Sequence, residues 1–438
     1  MTRPDLKVIL YGRHVADVLD TGFGDTAVRY TRDANDHPTT SRLSLALPVQ
    51  EAVHITHGPG GRWVRSLLPE GRALAWAVEH FGIAEDDRFG LISVLGVDVA
   101  GAVQILTDDE QPLGHGTYEV LDDTELGGLM QRAPNQGLGL DRERGVRLSL
   151  AGMQDKLLLY SDHGHYYLPI NGAPSTLIVK PQPAPERNVD GLVTNELFCL
   201  TLARLVGLDV ALAYAAPLGG TPALIVHRFD RQHRNDGTVE RIHQEDLLGA
   251  LGMDPLLKYE YAQVVRSTGV GGFAERTVYN SRPGPSLADL AQLLTTHLGR
   301  GRVAAFLEAV TFNIAIGNAD AHARNYSLLF SPSGAVSLAP LYDLVSTTMW
   351  DHLDREPAQR VSGIDDLDEI RLEHLVQEAR SWSMPETFSR RRIIGVLERV
   401  AAAAGAARDE CVTLGGDPAV ADVMSRLIVA RVAAINAG

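Results

Sequence analysis

The stretch that most constrains this chain is TFNIAIGNADAHARNYSLLF, residues 311–330. Within it, Asp320 and Asn325 stand five residues apart, with His322 between them. Phosphoryl transfer needs a carboxylate beside the attacking hydroxyl and an amide oxygen on Mg²⁺. One short loop with this spacing can supply both, so the pattern predicts a phosphoryl-transfer loop.

The spacing alone is not decisive, because it also occurs at Asp190/Asn195 and at Asp230/Asn235. The context of Asp320 distinguishes it from the other two. An apolar run at 303–316 precedes it and predicts a buried helix, whereas residues 326–330 predict a short strand that ends in a Ser-Pro-Ser-Gly turn. We therefore expect the loop to be held between a core helix and a hairpin.

A second carboxylate follows the predicted hairpin. The return strand at 335–340 leads into Tyr342-Asp343-Leu344. In kinases a second Mg²⁺ ligand lies at this place, beside the catalytic loop. An aspartate that only caps a helix or a turn would explain one of these carboxylates but not the ordered set.

Composition limits the classes of protein that are compatible with this chain. With 438 residues, 45% of them hydrophobic and 22% charged, it is long enough for two or three packed domains. The formal charge of -15 opposes direct binding to nucleic acid. Cys199 and Cys411 predict core positions rather than a disulfide or zinc site. Since no secretion signal and no long apolar segment is visible, we expect a cytoplasmic protein that does not interact with a membrane.

Periodicity divides the chain into a β-rich half and a helical half. We predict an α/β module at 1–112, a β-rich nucleotide-binding lobe at 113–236 and a helical lobe at 237–438. Short strands are predicted at Leu6–Tyr11, Val15–Leu19, Ala27–Tyr30 and Leu43–Leu47, and helical periodicity follows from Trp63. Further predictions are a capping box at Asp122/Glu125, a helix at 244–252 and a long loop at Thr268–Pro285.

Several residues ahead of the loop have the types expected at a nucleotide site. Lys180 ends an apolar strand, and Glu196 follows it on the next helix. Gly152 permits a tight turn in SLAGMQDK, residues 149–156, where backbone N–H groups could meet phosphate. Each feature also has an ordinary explanation: a solvated lysine, an exposed helical glutamate and a β-strand serine at Ser149. A connecting strand that ends at Val226 and His227 could offer main-chain groups to adenine.

Taken together, these segments resemble the HipA family of serine/threonine kinases, the toxins of bacterial toxin–antitoxin pairs. The similar segments, in family order, are RSLLPEG, FGLISVLGVDVAGAVQI, SLAGMQDK, VKP, HRFDR, QEDLLGALG, GNADAHARN and PLYDLVS. The resemblance implies an α+β, two-lobed protein-kinase-like fold with an extra N-terminal subdomain and an all-helical C-terminal lobe.

The resemblance also implies a role for each matching residue. Asp320 would be the catalytic base, His322 would brace the loop or contact phosphate, and Asn325 and Asp343 would hold Mg²⁺. Lys180 would contact the phosphates of ATP, with Glu196 in support, and Ser149 would be a self-phosphorylation site. The implied nucleotide contacts are Ala151, Gly152, Met153, Gln154, Asp155, Lys156, Val226, His227 and Phe229.

The implied partners are a HipB-like DNA-binding antitoxin, which would carry this acidic chain to DNA, and an aminoacyl-tRNA synthetase as target class. The chain departs from the family pattern at Ala321, at Arg324 and across Tyr261–Arg282. The motifs do not identify the acceptor, so a small-molecule or phosphoinositide-type kinase stays open. A catalytically silent kinase-like binding module is a second alternative, which the joint presence of Asp320, Asn325, Asp343 and Lys180 disfavours.

Overall fold

The computed structural model describes residues 3–22, 24–50, 53–54, 58–108, 116–136, 149–150, 154–261, 263–266, 275–278 and 284–437. The fold is mixed α/β and two-lobed, with a β-rich first half and a mainly helical second half, as predicted. Among these residues, no helix combines the length and the apolar character that crossing a bilayer requires. The division at 112 and 236 stays a prediction.

The N-terminal part contains a four-stranded sheet with the order β3-β2-β1-β4. Its elements are β1 (Leu6–Leu10), β2 (Arg13–Gly22), β3 (Asp25–Tyr30), α1 (Arg32–Asp36), α2 (Pro59–Ser66), α3 (Gly71–Phe81), α4 (Arg88–Leu95) and β4 (Val103–Leu106). The first three predicted strands are confirmed. The Tyr11 hydroxyl, at the turn after β1, donates to the carbonyl of Phe330, so this sheet is docked on the C-terminal half.

One strand prediction in this part was wrong. Leu43–Leu47 forms a turn with a bridge between Ser44 and Leu47 instead of a strand. Leu43 and Leu47 are both completely buried, so their alternation reflects two side chains that enter one core from either side of the turn. The helical periodicity predicted from Trp63 is confirmed by α2 and α3, which are separated between Ser66 and Gly71, where Pro69 would remove a helical hydrogen bond.

The next part is built on a six-stranded sheet with the order β5-β7-β6-β8-β10-β9. Its elements are β5 (Thr117–Leu121), α5 (Asp123–Gln136), β6 (Leu157–Asp162), β7 (His165–Ile170), β8 (Leu177–Pro181), α6 (Leu192–Leu205), β9 (Ala213–Leu218) and β10 (Thr221–His227). The predicted capping box is confirmed, since the Asp122 carboxylate accepts from Glu125 N at 2.8 Å and the Glu125 carboxylate accepts from Asp122 N at 3.1 Å.

Strand β10 separates the two main hydrophobic cores. Ala223 and Ile225 pack into the core shared with the N-terminal part, whereas Leu224 and Val226 pack into the core of the helical half. Successive side chains of a strand point to opposite faces, so a strand buried on both sides is a continuous apolar run. This explains why ALIV shows no polar alternation.

The C-terminal half is mainly helical, but it is not the all-helical lobe that the resemblance implied, because it also contains strands. Its elements are β11 (Arg231–His233), β12 (Val239–Arg241), β13 (His243–Asp246), α7 (Leu247–Ala250), β14 (Gln263–Arg266), β15 (Glu275–Val278), α8 (Leu287–Leu298), α9 (Arg300–Ile316), β16 (Ser327–Phe330), β17 (Val336–Leu338), α10 (Leu372–Ser381), α11 (Glu386–Thr413) and α12 (Pro418–Asn436).

Two further predictions need correction here. The predicted helix at 244–252 begins as a strand, because residues 243–246 pair with β16 of the hairpin, and only 247–250 are helical. The predicted loop at Thr268–Pro285 contains β15, which pairs with β14. Residues 268–274 and 279–283 of that loop lie outside the described residues.

Helix α9 is buried on nearly all sides, as its apolar sequence predicts, and it leads directly to the loop with Asp320. It ends at Gly317, whose φ of 71° lies in the left-handed region. A Cβ atom there would lie 2.2 Å from the hydroxyl oxygen of Thr348. Both the backbone conformation and this close approach therefore require glycine. Cys199 and Cys411 are both buried, which confirms their predicted core positions.

A buried ionic cluster connects the N-terminal part to the segment that links the lobes. Arg231 donates to Asp98 at 2.8 Å, and Arg228 donates to Asp230 at 2.8 Å, with all four residues almost completely buried. Asp230 therefore has a structural role in this cluster. The five-residue spacing between Asp230 and Asn235, which matches that of Asp320 and Asn325, is therefore coincidental.

Candidate active site

A cavity of about 440 Å³ lies between the two halves and is the meeting point of the predicted site residues. Twelve of them line it: Gln154, Asp155, Lys156, Lys180, Glu196, Val226, His227, Phe229, Asp320, His322, Asn325 and Asp343. Ala151, Gly152 and Met153, and with them the predicted Gly152 turn, lie outside the described residues. Ser149 lies beside the cavity rather than in its wall.

Lys180 connects two carboxylates inside this cavity. Its Nζ donates to Glu196 Oε1 at 2.7 Å and to Asp343 Oδ1 at 2.7 Å. Lys180 is 8% exposed and Glu196 is 1% exposed, so the pair is buried. Burial alone would lower the pKa of Lys180, but the two carboxylates outweigh it and hold that pKa above its ordinary value. The lysine is therefore a fixed cation.

Asp320 lies on the loop after α9 and is exposed to the cavity. Its backbone is held from both sides, because Asn318 Oδ1 accepts from Asp320 N at 3.0 Å and Asn325 Nδ2 donates to Asp320 O at 2.9 Å. The five-residue spacing therefore allows the Asn325 side chain to bind and hold the backbone of Asp320. Within the described part of the chain, no hydrogen bond occupies the side-chain oxygen of Asn325.

Asp343 follows the hairpin of β16 and β17, as predicted, and faces the same cavity. Its φ of 57° is unusual for a residue with a side chain, and such conformations cluster at functional sites. Burial would raise the pKa of the Asp343 carboxyl, but Lys180 dominates and lowers it to about 2. Asp343 is therefore ionised at neutral pH.

His322 is buried beside Asp320 in the same loop. Burial lowers the pKa of His322 below its ordinary value, although the Asp320 carboxylate opposes this, so the imidazole is neutral at pH 7. Its Nδ1 has no hydrogen-bond partner among the described residues. A neutral imidazole carries one ring N–H, and because His322 lines the cavity it can offer that donor to a ligand there.

Two residues of SLAGMQDK that the structure describes carry charge into the cavity. Asp155 accepts from Arg187 at 2.7 Å. Lys156 is 8% exposed, and burial, reinforced by nearby Lys180, lowers its pKa to about 8. Lys156 therefore adds a second cation to the cavity wall at neutral pH, close to Lys180.

Ser149 is completely buried against the N-terminal part. Its hydroxyl donates to the carbonyl of Leu67, and its backbone N–H donates to Asp98 O at 2.9 Å. In this conformation the hydroxyl is inaccessible to a phosphoryl donor, so modification of Ser149 requires the segment to leave its place.

The N-terminal part contributes directly to the site, which the spacing argument did not show. Arg324, on the same loop as Asp320, pairs with Glu70, donates to Ser66 O at 3.1 Å and donates to Asp246 at 2.9 Å. Glu70 also lies 3.7 Å from Lys258. Ser66 and Glu70 both lie in RSLLPEG, so this segment is the one sequence signal for the contact among the described residues.

Comparison with known families and proteins agrees with this geometry. Residues 6–106 match the model of the HipA N-terminal domain, and residues 148–407 match the model of the HipA-like C-terminal domain. The second match covers more than half of the chain. The chain belongs to the HipA family of kinases.

Similar proteins extend the match to most of the chain. Y4mE of Sinorhizobium fredii is 33% identical over 92% of this chain and 91% of its own. The serine/threonine-protein kinase toxin HipA of Shewanella oneidensis is 31% identical over 81% of this chain and 79% of its own. The solved complex of Shewanella oneidensis HipA with HipB and operator DNA has a TM-score of 0.79 and 27% identity, covering 98% of this chain and 96% of that one.

The HipA membership raises the question of whether these residues suit a magnesium ion. Among the described residues, no group of three or more His, Cys, Asp or Glu side chains is arranged to hold a metal. Mg²⁺ in kinases, however, is held by one or two protein oxygens together with the substrate phosphates. Asp343 and Asn325 offer such a carboxylate and amide oxygen, so the donors fit Mg²⁺ that arrives with a nucleotide.

Proposed function

We propose that this chain is a Mg-ATP-dependent serine/threonine protein kinase that acts as the toxin of a toxin–antitoxin pair. The observation that carries the proposal is the position of Lys180, which binds Glu196 and Asp343 in one cavity with Asp320 and Asn325. A kinase needs its strand lysine paired with the helix glutamate, and its second aspartate beside it, before transfer can occur.

Each residue then has a chemical task. Asp320 accepts the proton of the acceptor hydroxyl as that oxygen bonds to the γ-phosphorus and the bond to the ADP oxygen breaks. Lys180, Lys156 and neutral His322 neutralise or hold the phosphate oxygens. Asn325 and Asp343 would hold Mg²⁺, which neutralises charge on the phosphates when bound. Val226, His227 and Phe229 line the part of the cavity proposed for adenine.

The proposed partner is a HipB-like antitoxin, and the proposed target class is the aminoacyl-tRNA synthetases. The solved complex of a relative contains HipB and operator DNA, which supports the choice of antitoxin. The formal charge of -15 supports an indirect route to DNA, through a basic partner. The target class rests on the family resemblance.

We also propose Ser149 as a self-phosphorylation site that inactivates the enzyme. The structure buries its hydroxyl on the Leu67 carbonyl, where a phosphate of roughly -1.5 to -2 charges could not be accommodated. Phosphorylation would therefore displace the start of SLAGMQDK, residues 149–156, which we call the phosphate loop. The adjoining residues Leu150, Gln154 and Lys156 would move with it, away from the nucleotide.

The proposed activity is tested by incubating the purified chain with Mg-ATP and a lysate of its host, then mapping new phosphosites by mass spectrometry. The matched control is Asp320→Asn, which keeps the size of the exposed side chain but removes the base. Losing a general base should reduce transfer by about 10²- to 10⁴-fold. We expect new phosphoserine or phosphothreonine on lysate proteins after incubation with the wild-type chain, but not after incubation with Asp320→Asn.

Three other outcomes would contradict the proposal or part of it. Phosphate transferred only to small molecules or lipids, and not to proteins, would favour a small-molecule or phosphoinositide-type kinase. Equal labelling by wild type and Asp320→Asn would remove Asp320 from the mechanism, and no ATP turnover by either would favour a silent binding module.

A further inference from the structure

A tyrosine hydroxyl is bound to the carboxylate proposed as the catalytic base. Tyr259 Oη donates to Asp320 Oδ1 at 2.7 Å, and the Tyr259 ring also stands edge-on to His322, with ring centroids 5.4 Å apart. Burial, together with the negative charge of Asp320, raises the pKa of Tyr259, so the hydroxyl is a protonated donor at neutral pH.

The position of Tyr259 is fixed by its neighbours in the chain. On one side, Lys258 O accepts from Ala323 N of the catalytic loop at 3.3 Å and from Gln359 Nε2 at 2.8 Å. On the other side, Glu260 N donates to Ala358 O at 2.8 Å. The backbone around Tyr259 is thus attached to the loop that it contacts, so the hydroxyl is held against Asp320.

The same is true of the segment behind it. Glu260 is buried, and its carboxylate accepts from Arg360 N at 2.8 Å. Ala358 N donates to Ala319 O at 2.8 Å, one residue before Asp320. Residues 258–260, 358–360 and 319–323 therefore form one hydrogen-bonded unit around the base.

We propose that Tyr259 is a positioning residue for Asp320, an inference that rests on the function proposed above. An exposed carboxylate on a loop can rotate, and rotation would present its oxygens to the acceptor at random. By holding Oδ1, the Tyr259 hydroxyl leaves Oδ2 as the oxygen that receives the acceptor proton. Placement of a reacting group within a fraction of an ångström is worth large factors in rate.

The test is Tyr259→Phe, which keeps the ring beside His322 and removes only the hydroxyl. Tyr261→Phe is the matched control, because the contact of Tyr261 is between its ring face and Arg360, at 4.0 Å, and phenylalanine keeps that face. With the acceptor protein that the phosphosite mapping identifies, we expect the kcat of phosphoryl transfer by Tyr259→Phe to fall about 10- to 100-fold, which is the scale of the loss caused by a misplaced group. KM for ATP should stay within about twofold and Tyr261→Phe should behave as wild type, because neither change displaces the groups proposed to bind the nucleotide.

A double-mutant cycle separates positioning from a merely structural role. In the Asp320→Asn background the base is absent, so Tyr259→Phe should cost little more, and the two losses should not multiply. An unchanged kcat for Tyr259→Phe would overturn the inference. So would a lower KM for the protein acceptor at unchanged kcat, which would make Tyr259 a competitor for the base, and so would equal losses in both backgrounds.

The failures of the two proposals are distinguishable. If Asp320→Asn is inactive and Tyr259→Phe is fully active, only the role of Tyr259 is wrong. If Asp320→Asn retains wild-type activity, the function proposed for Asp320 fails first, and the positioning role fails with it. Equal urea midpoints for wild type and Tyr259→Phe establish that the comparison concerns folded protein.

Discussion

Replacing Lys180 by methionine should lower the free energy of unfolding of this protein as well as inactivate it. Lys180 is 8% exposed and Glu196 is 1% exposed, and they meet at 2.7 Å. Removing one partner of such a buried pair leaves an uncompensated charge and costs about 3–5 kcal/mol. The second contact adds little, because the Asp343 side chain is 39% exposed and partly solvated pairs contribute about 0–1 kcal/mol. We therefore expect a loss of about 3–5 kcal/mol in all.

The assay is urea unfolding followed by circular dichroism, with Lys180→Met beside the double variant Lys180→Met/Glu196→Leu. The double variant replaces the ion pair by an apolar pair of similar volume, which is often neutral for stability. It should therefore regain most of the lost free energy of unfolding while staying inactive. A midpoint for Lys180→Met equal to that of wild type would refute the reasoning. So would a double variant that is no more stable than the single one.

Two further predictions concern the phosphate loop. Because the pKa of Lys156 is about 8, this cation is lost as pH rises through that value. ATP affinity, measured by calorimetry on either side of it, should fall at the higher pH for wild type but not for Lys156→Arg; identical pH profiles would contradict a role for Lys156 in binding. Protein phosphorylated at Ser149 should bind ATP more weakly than Ser149→Ala, and equal binding by the two forms would rule out the switch.

The sequence alone determined the local elements and the order of the site residues. The apolar run of α9, the Asp122/Glu125 capping box and the hairpin before Asp343 depend on interactions between residues close in the chain, so periodicity and turn chemistry were sufficient to predict them. The placement of Asp320 and Asn325 on one loop follows from their context, between the apolar run of α9 and the hairpin of β16 and β17. The buried positions of Cys199 and Cys411 were predicted from the helical patterns in which both residues stand.

Tertiary structure decided what depends on partners distant in the chain. Residues 243–246 became a strand because β16 offers a pairing edge, and Leu43–Leu47 became a turn because its leucines fill one core. The contacts of Glu70 with Arg324 and of Tyr259 with Asp320 join residues that are 254 and 61 positions apart, and no local pattern encodes them. Sequence spacing can place a carboxylate on a loop, but only the packed fold determines which groups surround it.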